Sequence, residues 1–234
     1  MIDSGRRVTV FAGHYGSGKT NVALNFARLV RRSGAATAVA DLDIVNPYFR
    51  TLDSARELAD EGIDLVVSEY ANSNVDFPAL PKETYALVAD RGVRVVMDVG
   101  GDDRGALALG RYVPDLRAEG DFEMLAVVNA ARPLTADVPG TAEVLREIEA
   151  AAGLPFTGVV NNTNLGPETT ADTVLASVPY ASAVARELGV AVRFTCADER
   201  LVDALAGRVA DLLPLRLQRL YYHLRTETEA GHAD

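Results

Sequence analysis

The run Gly13-His14-Tyr15-Gly16-Ser17-Gly18-Lys19-Thr20 has the form G-x-x-x-x-G-K-[ST]. Residues of these types at this spacing suit one task, holding a polyphosphate. The glycines let the backbone curl so that several N–H groups aim inward at phosphate oxygens. A helix opening at the end of the run adds the positive end of its dipole. Lys19 is placed to reach the terminal phosphates, the Thr20 hydroxyl to ligate Mg²⁺, and Asn21 to open the helix behind them. Of the 23 lysines and arginines, only Lys19 and Lys82 are lysines. A lysine at this position therefore answers a demand for a compact ammonium.

A triphosphate site also needs acids to organise the cation and an attacking water. Asp98 closes the apolar run Val93-Arg94-Val95-Val96-Met97 and precedes Val99-Gly100-Gly101. That is a Walker B pattern: Asp98 bonds the Mg²⁺ shell through water, and Gly101 can offer its N–H near the γ-phosphate. Asp41-Leu42-Asp43 closes a second strand, and strand alternation puts Asp41 and Asp43 on one side. Asp41, Asp43, Asp98 and Thr20 can thus face the phosphates and the cation, alongside Lys19. The segment from Ile44 to Arg50 reads as a switch. The competing reading is that these acids cap the next helix or bind its arginines.

Elements that position such residues can be read from periodicity. Arg7–Ala12, Thr37–Ala40, Ile63–Val67, Val93–Met97, Met124–Val128, Thr157–Val160 and Ala191–Phe194 have strand length and are mostly apolar. Helical spacing predicts helices over about 51–61, 81–91, 105–118, 136–152, 180–188, 199–212 and 215–227, besides the one from Asn21 to Arg32. Strands apolar on both faces, alternating with amphipathic helices, predict an α/β fold. This is a mostly parallel twisted sheet with helices on both faces, a Rossmann-like three-layer P-loop arrangement. One domain over residues 1–226 and a tail over 227–234 are expected.

Composition narrows the partners. The 234 residues are 48% hydrophobic and carry a formal charge of −10. An acidic surface repels a phosphate backbone, so nucleic acid is not an expected partner. No apolar run reaches the ~18 to 20 residues of a membrane span. The N-terminus has an acid before its arginines and does not read as a signal peptide, which makes the cytoplasm the expected location. Cys196 is the only cysteine, which argues against internal disulfides and an iron–sulfur cluster and for a small buried hydrophobe. Leu217, Leu220, Tyr221 and Leu224 share a helical face near Arg216, Arg219 and Arg225. That stripe is expected to pack on the domain or a second subunit rather than on a membrane.

The order of these parts resembles the MinD/ParA-like ATPases of the CobQ/CobB/MinD/ParA group, within the SIMIBI class of P-loop proteins. It covers Gly13–Thr20, Asp41-Leu42-Asp43, Asp98-Val99-Gly100-Gly101 and Val159-Val160-Asn161-Asn162. The resemblance implies ATP or ADP with Mg²⁺ as ligands, Asp43 orienting or activating water and Asp41 supporting the metal shell. It also implies Asn161 reading adenine, the loop at Val178-Pro179-Tyr180 closing over the base, and a nucleotide-dependent homodimer. One position departs. The signature lysine of that group is here His14, followed by Tyr15, which puts dimer activation in doubt and leaves His14 facing either a ligand or the loop. In Asn161-Asn162-Thr163-Asn164 the charged residues of a guanine-reading N-K-x-D are amides, which favours adenine. Two other functions fit the same scaffold. One is an ATP-dependent kinase or ligase for a small molecule, with Ser68 to Pro81 lining its pocket. The other is a non-hydrolysing nucleotide-binding adaptor.

Overall fold

Among the described residues, eight parallel strands form one sheet in the order β3-β2-β4-β1-β5-β6-β7-β8. The computed structural model describes residue 2 and residues 5–43, 55–67, 82–101 and 103–217. Within these, β1 (Val8–Ala12), β2 (Ala36–Leu42), β3 (Ile63–Val67) and β4 (Val93–Val99) form one half of the sheet. β5 (Phe122–Val128), β6 (Gly158–Asn161), β7 (Ala191–Asp198) and β8 (Leu212–Leu215) form the other. All pairings are parallel, with Asp41 beside Asp98 across β2 and β4, and Phe11 beside Asp98 across β1 and β4. The chain leaves β1 for one side of the sheet and returns to its other side at β5. The carboxyl end of β1 therefore faces a crevice where such folds bind ligands.

Helices cover both faces: α1 (Lys19–Arg32), α2 (Ala55–Asp60), α3 (Lys82–Ala89), α4 (Asp103–Gly110), α5 (Val113–Glu119), α6 (Val138–Ala152), α7 (Ala171–Glu187) and the single turn α8 (Val202–Leu205). Alternation along β1 sends Val8, Val10 and Ala12 to one core and Phe11 to the other. In the second core Phe11 meets Phe26 of α1 edge-on at 5.3 Å, and Phe26 stacks on Phe194 at 5.8 Å. This aromatic contact seats α1, and with it the loop that begins α1, on the sheet.

At the amino ends of the strands, charges are buried in pairs. Arg7 is 7% exposed, binds Glu119 at 2.6 Å and donates to the carbonyls of Leu87, Val88, Asp90 and Val93. Glu123 accepts from Thr9 and Arg193. Every charge there has a partner of opposite sign or a carbonyl, as burial demands.

Three expectations are corrected. The helix predicted over 105–118 is two, broken at Arg111-Tyr112 before Pro114. Residues 171–179, which were not assigned to a helix, open α7: Thr170 caps it reciprocally with Thr173, and Pro179 lies exposed inside the helix. Residues 199–212 hold only a 3₁₀ turn, α8 and irregular chain before β8. In β8, Pro214 sits on an edge strand, where a missing N–H costs little, and this hides the strand from propensity. The expected helix over 215–227 begins in that strand, and residues 218–234 lie outside the described ones, as do the switch segment 44–50 and the pocket segment 68–81. Among the described residues no helix is long and apolar enough to cross a membrane.

Candidate functional site

The loop between β1 and α1 turns on glycines in conformations other residues resist. Gly16 and Gly18 have φ of 77° and 85°. A Cβ on Gly13 would stand 2.4 Å from the Val127 carbonyl, and one on Gly18 2.4 Å from Asn162 Nδ2. Gly18 is the N-cap of α1 and offers no side-chain hydrogen bond, and no acid stands in the first turn. The other long helices differ: Asp137 caps α6 through the Gly140 N–H, and Thr170 caps α7. The positive end of the α1 dipole thus faces the loop with no capping side chain on its N-cap residue, and Arg31 and Arg32 complement the dipole at the far end.

Lys19 is 7% exposed and folds back over the loop, its Nζ donating to the His14 carbonyl at 3.3 Å. Thr20 Oγ1 donates to Asp98 Oδ2 at 2.6 Å. Asp98 is 2% exposed, and its Oδ1 has no hydrogen-bond partner. Burial, then the neighbouring Asp41 charge, push its carboxyl up to about 8, against the opposing pull of Lys19 and Thr20. Asp41 Oδ1 accepts the Asp43 N–H at 2.9 Å. A Cβ on Gly100 would stand 3.2 Å from Asp43 Oδ1. One on Gly101 would stand 2.6 Å from Tyr15 N and 2.8 Å from Lys19 Nζ, so only glycine lets β4 approach the loop this closely.

Among the described residues, no three His, Cys, Asp or Glu side chains gather tightly enough to hold a metal unaided. Mg²⁺ does not require that, since it commonly binds through one or two protein oxygens, waters and substrate phosphates. The unpartnered Asp98 oxygen beside the Thr20 hydroxyl fits such an ion.

A cavity of about 330 Å³ opens beside the loop. Tyr15, Gly16, Gly18, Lys19, Thr20, Asn21 and Asp43 line it on one side. Arg132, the stretch from Asn162 to Asn164, and Cys196-Ala197-Asp198 line it on the other. Gly13, His14 and Ser17 lie behind that surface. His14 turns its Nδ1 onto the Tyr15 carbonyl at 2.8 Å, so its ring is used within the loop, while Tyr15 stands 58% exposed.

Two of the residues expected to hold the base do not line this cavity. Asn161 is fully buried; its amide donates to Ser177 and its oxygen accepts from Thr163, so it braces β6 against α7 and does not line the cavity. Pro179, inside α7, does not line it either; the opposite wall is Cys196-Ala197-Asp198 at the end of β7. Asn162 donates to the Ser17 carbonyl at 2.7 Å, tying this wall to the phosphate loop. Asn164 donates to the Asn162 carbonyl and accepts the Gly166 N–H. One donor and one acceptor of its amide remain. Burial pushes the Cys196 thiol well up, as suits an inert packing group. Sequence reading passed over Arg132 altogether. The one signal for the far wall is that β7 closes on an aspartate, Asp198, much as β2 and β4 carry Asp41 and Asp98 one residue before their ends.

No family model matches the chain, and no curated protein matches it in sequence. Solved structures do match. One is the 54 kDa protein of the signal recognition particle from Aeropyrum pernix, in complex with GDP. It is 17% identical with a TM-score of 0.53, over 82% of this chain and 41% of that one. Another is the cell division protein FtsY from Thermotoga maritima, 19% identical with a TM-score of 0.56, over 85% of this chain and 64% of that one. This chain thus spans between two-fifths and two-thirds of those proteins' lengths. At these identities the likeness is one of fold, the three-layer α/β fold of P-loop NTPases.

Proposed function

We propose that this chain binds a purine nucleoside triphosphate with Mg²⁺, takes adenine over guanine, and hydrolyses the terminal phosphate. The hydrolysis switches an interaction with a partner or a second copy, as in the MinD/ParA-like ATPases. The observation that carries the reading is the Thr20–Asp98 hydrogen bond of 2.6 Å, which joins the first turn of α1, behind the glycine-rich loop, to the acid of β4.

On this reading the α1 N–H groups and Lys19 neutralise the phosphates, while Thr20 and Asp98 hold the ion. Bound Mg²⁺ supplies charge stabilisation at the phosphate oxygens. Asp43 borders the cavity, its backbone N–H fixed by Asp41, and from there holds the attacking water and accepts its proton. The spare donor and acceptor of Asn164 match the adjacent donor and acceptor of an adenine edge. Guanine's two adjacent donors, N1–H and the 2-amino group, call for a carboxylate that accepts both, which this amide is not.

Release of inorganic phosphate from ATP and from GTP by the wild-type chain and Asp43→Ala tests this. The expectation is turnover of ATP without any added metabolite, slowed about 10²- to 10⁴-fold in Asp43→Ala with nucleotide affinity kept. Wild-type turnover in the variant would remove Asp43 from the chemistry. Turnover only with an added metabolite would favour a kinase or ligase.

A further inference from the structure

We propose that Arg132 is the second cation of this site, binding the phosphates of the nucleotide alongside Lys19. The inference rests on the nucleotide reading above and adds a residue to it. Arg132 stands in the turn after β5, where its N–H donates to the Asn129 carbonyl and its own carbonyl accepts the Thr135 N–H. Pro133 follows and stiffens the turn. From this anchored backbone the side chain crosses to the phosphate loop and donates through Nε to the Gly16 carbonyl at 2.9 Å. A Cβ on Gly16 would lie 3.5 Å from Nε and 3.9 Å from Cζ, so the guanidinium lies against the loop at its glycine.

That hydrogen bond uses one of five N–H donors, and the residue is exposed at the cavity wall. The two terminal nitrogens form a fork suited to a phosphate.

Charge balance points the same way. Among the described residues lining the cavity, the charged side chains are Lys19, Arg132, Asp43 and Asp198. Asp198 is engaged by Arg200 at 3.2 Å, and Asp43 stands near Gly100. His14, placed to contribute a second charge from within the loop, turns instead to the Tyr15 carbonyl, and the Asn162 amide is neutral. A polyphosphate entering this cavity meets Lys19 and, across the loop, Arg132. The alternative role is a strut that merely ties the β5 turn to the loop through Gly16.

Calorimetric titration of Mg-ADP and Mg-ATP into the full chain, at low and high salt, separates the two roles. The variants are Arg132→Lys, Arg132→Gln and Arg132→Ala, with thermal melts to verify folding. A phosphate-binding cation predicts about tenfold weaker ATP binding and a flatter salt dependence in Arg132→Gln and Arg132→Ala, with most of the affinity restored in Arg132→Lys. Equal weakening in Arg132→Lys and Arg132→Gln, or wild-type affinity in all three, would overturn it. A wild-type chain that binds neither nucleotide would remove the inference together with the reading it rests on.

Discussion

The two ends of the central sheet bury charge in opposite ways. At the amino ends, Arg7 sits among Glu119 and four carbonyls, and Glu123 sits between Thr9 and Arg193. Opposite signs meet, and every partner is supplied by the fold. At the carboxyl ends, Asp98 lies beside Asp41 in register, with one oxygen unpartnered and its carboxyl held well above the usual range by burial and by Asp41. Carboxyls crowded in this way, with Lys19 as the opposing charge, are the pattern on which the proposed nucleotide site rests. Helix caps repeat the contrast. The N-cap residues of α6 and α7 close their helices with side chains, while the N-cap of α1, the helix facing the crevice, is a left-handed glycine.

Removing Arg7 should give the largest effect. Arg7→Ala leaves Glu119 buried without this partner, and is expected to cost about 3–5 kcal/mol of folding stability. Denaturant unfolding reads this, and nucleotide affinity of the folded fraction should be unchanged. A stable Arg7→Ala protein, or one that folds normally but loses ATP, would erase the contrast between the two ends. A smaller effect concerns the base. Asn164→Asp removes a donor and adds an acceptor, and should shift the ATP-to-GTP affinity ratio towards GTP by about tenfold, or 1.4 kcal/mol. Competition binding measures it; an unchanged ratio would mean that Asn164 does not touch the base.

How far the sequence could be read follows the same divide. The juxtaposition of the loop with Asp41 and Asp98 was legible because it depends on local spacing: Gly13 to Thr20 on one turn, and acids near the ends of β2 and β4, placed by strand alternation. The base end depends on contacts across the sheet. Which side chains of Asn161-Asn162-Thr163-Asn164 turn from the cavity is decided by partners such as Ser177 of α7 and the Ser17 carbonyl, neither of them near in sequence. The sequence reading chose Asn161, and the structure turns that residue into the core. Pro179 looked like a loop signal, yet the Thr170–Thr173 cap begins a helix that carries through it. Arg132 has no motif around it; only its reach to Gly16 marks it. β8 was missed because Pro214 argues against a strand anywhere but at an edge.

The central claim is that the crowded end binds a nucleotide through a divalent ion. Its most direct test is calorimetric titration of ATP, with Mg²⁺ and with a chelator, into the wild-type chain and Asp98→Asn. Saturable binding is expected in the wild type, weakened about 10- to 100-fold by the chelator. Asp98→Asn should bind at that weaker level whether or not Mg²⁺ is present. Absence of any binding heat with ATP or GTP in the wild type, or an undiminished Mg²⁺ effect in Asp98→Asn, would contradict the account.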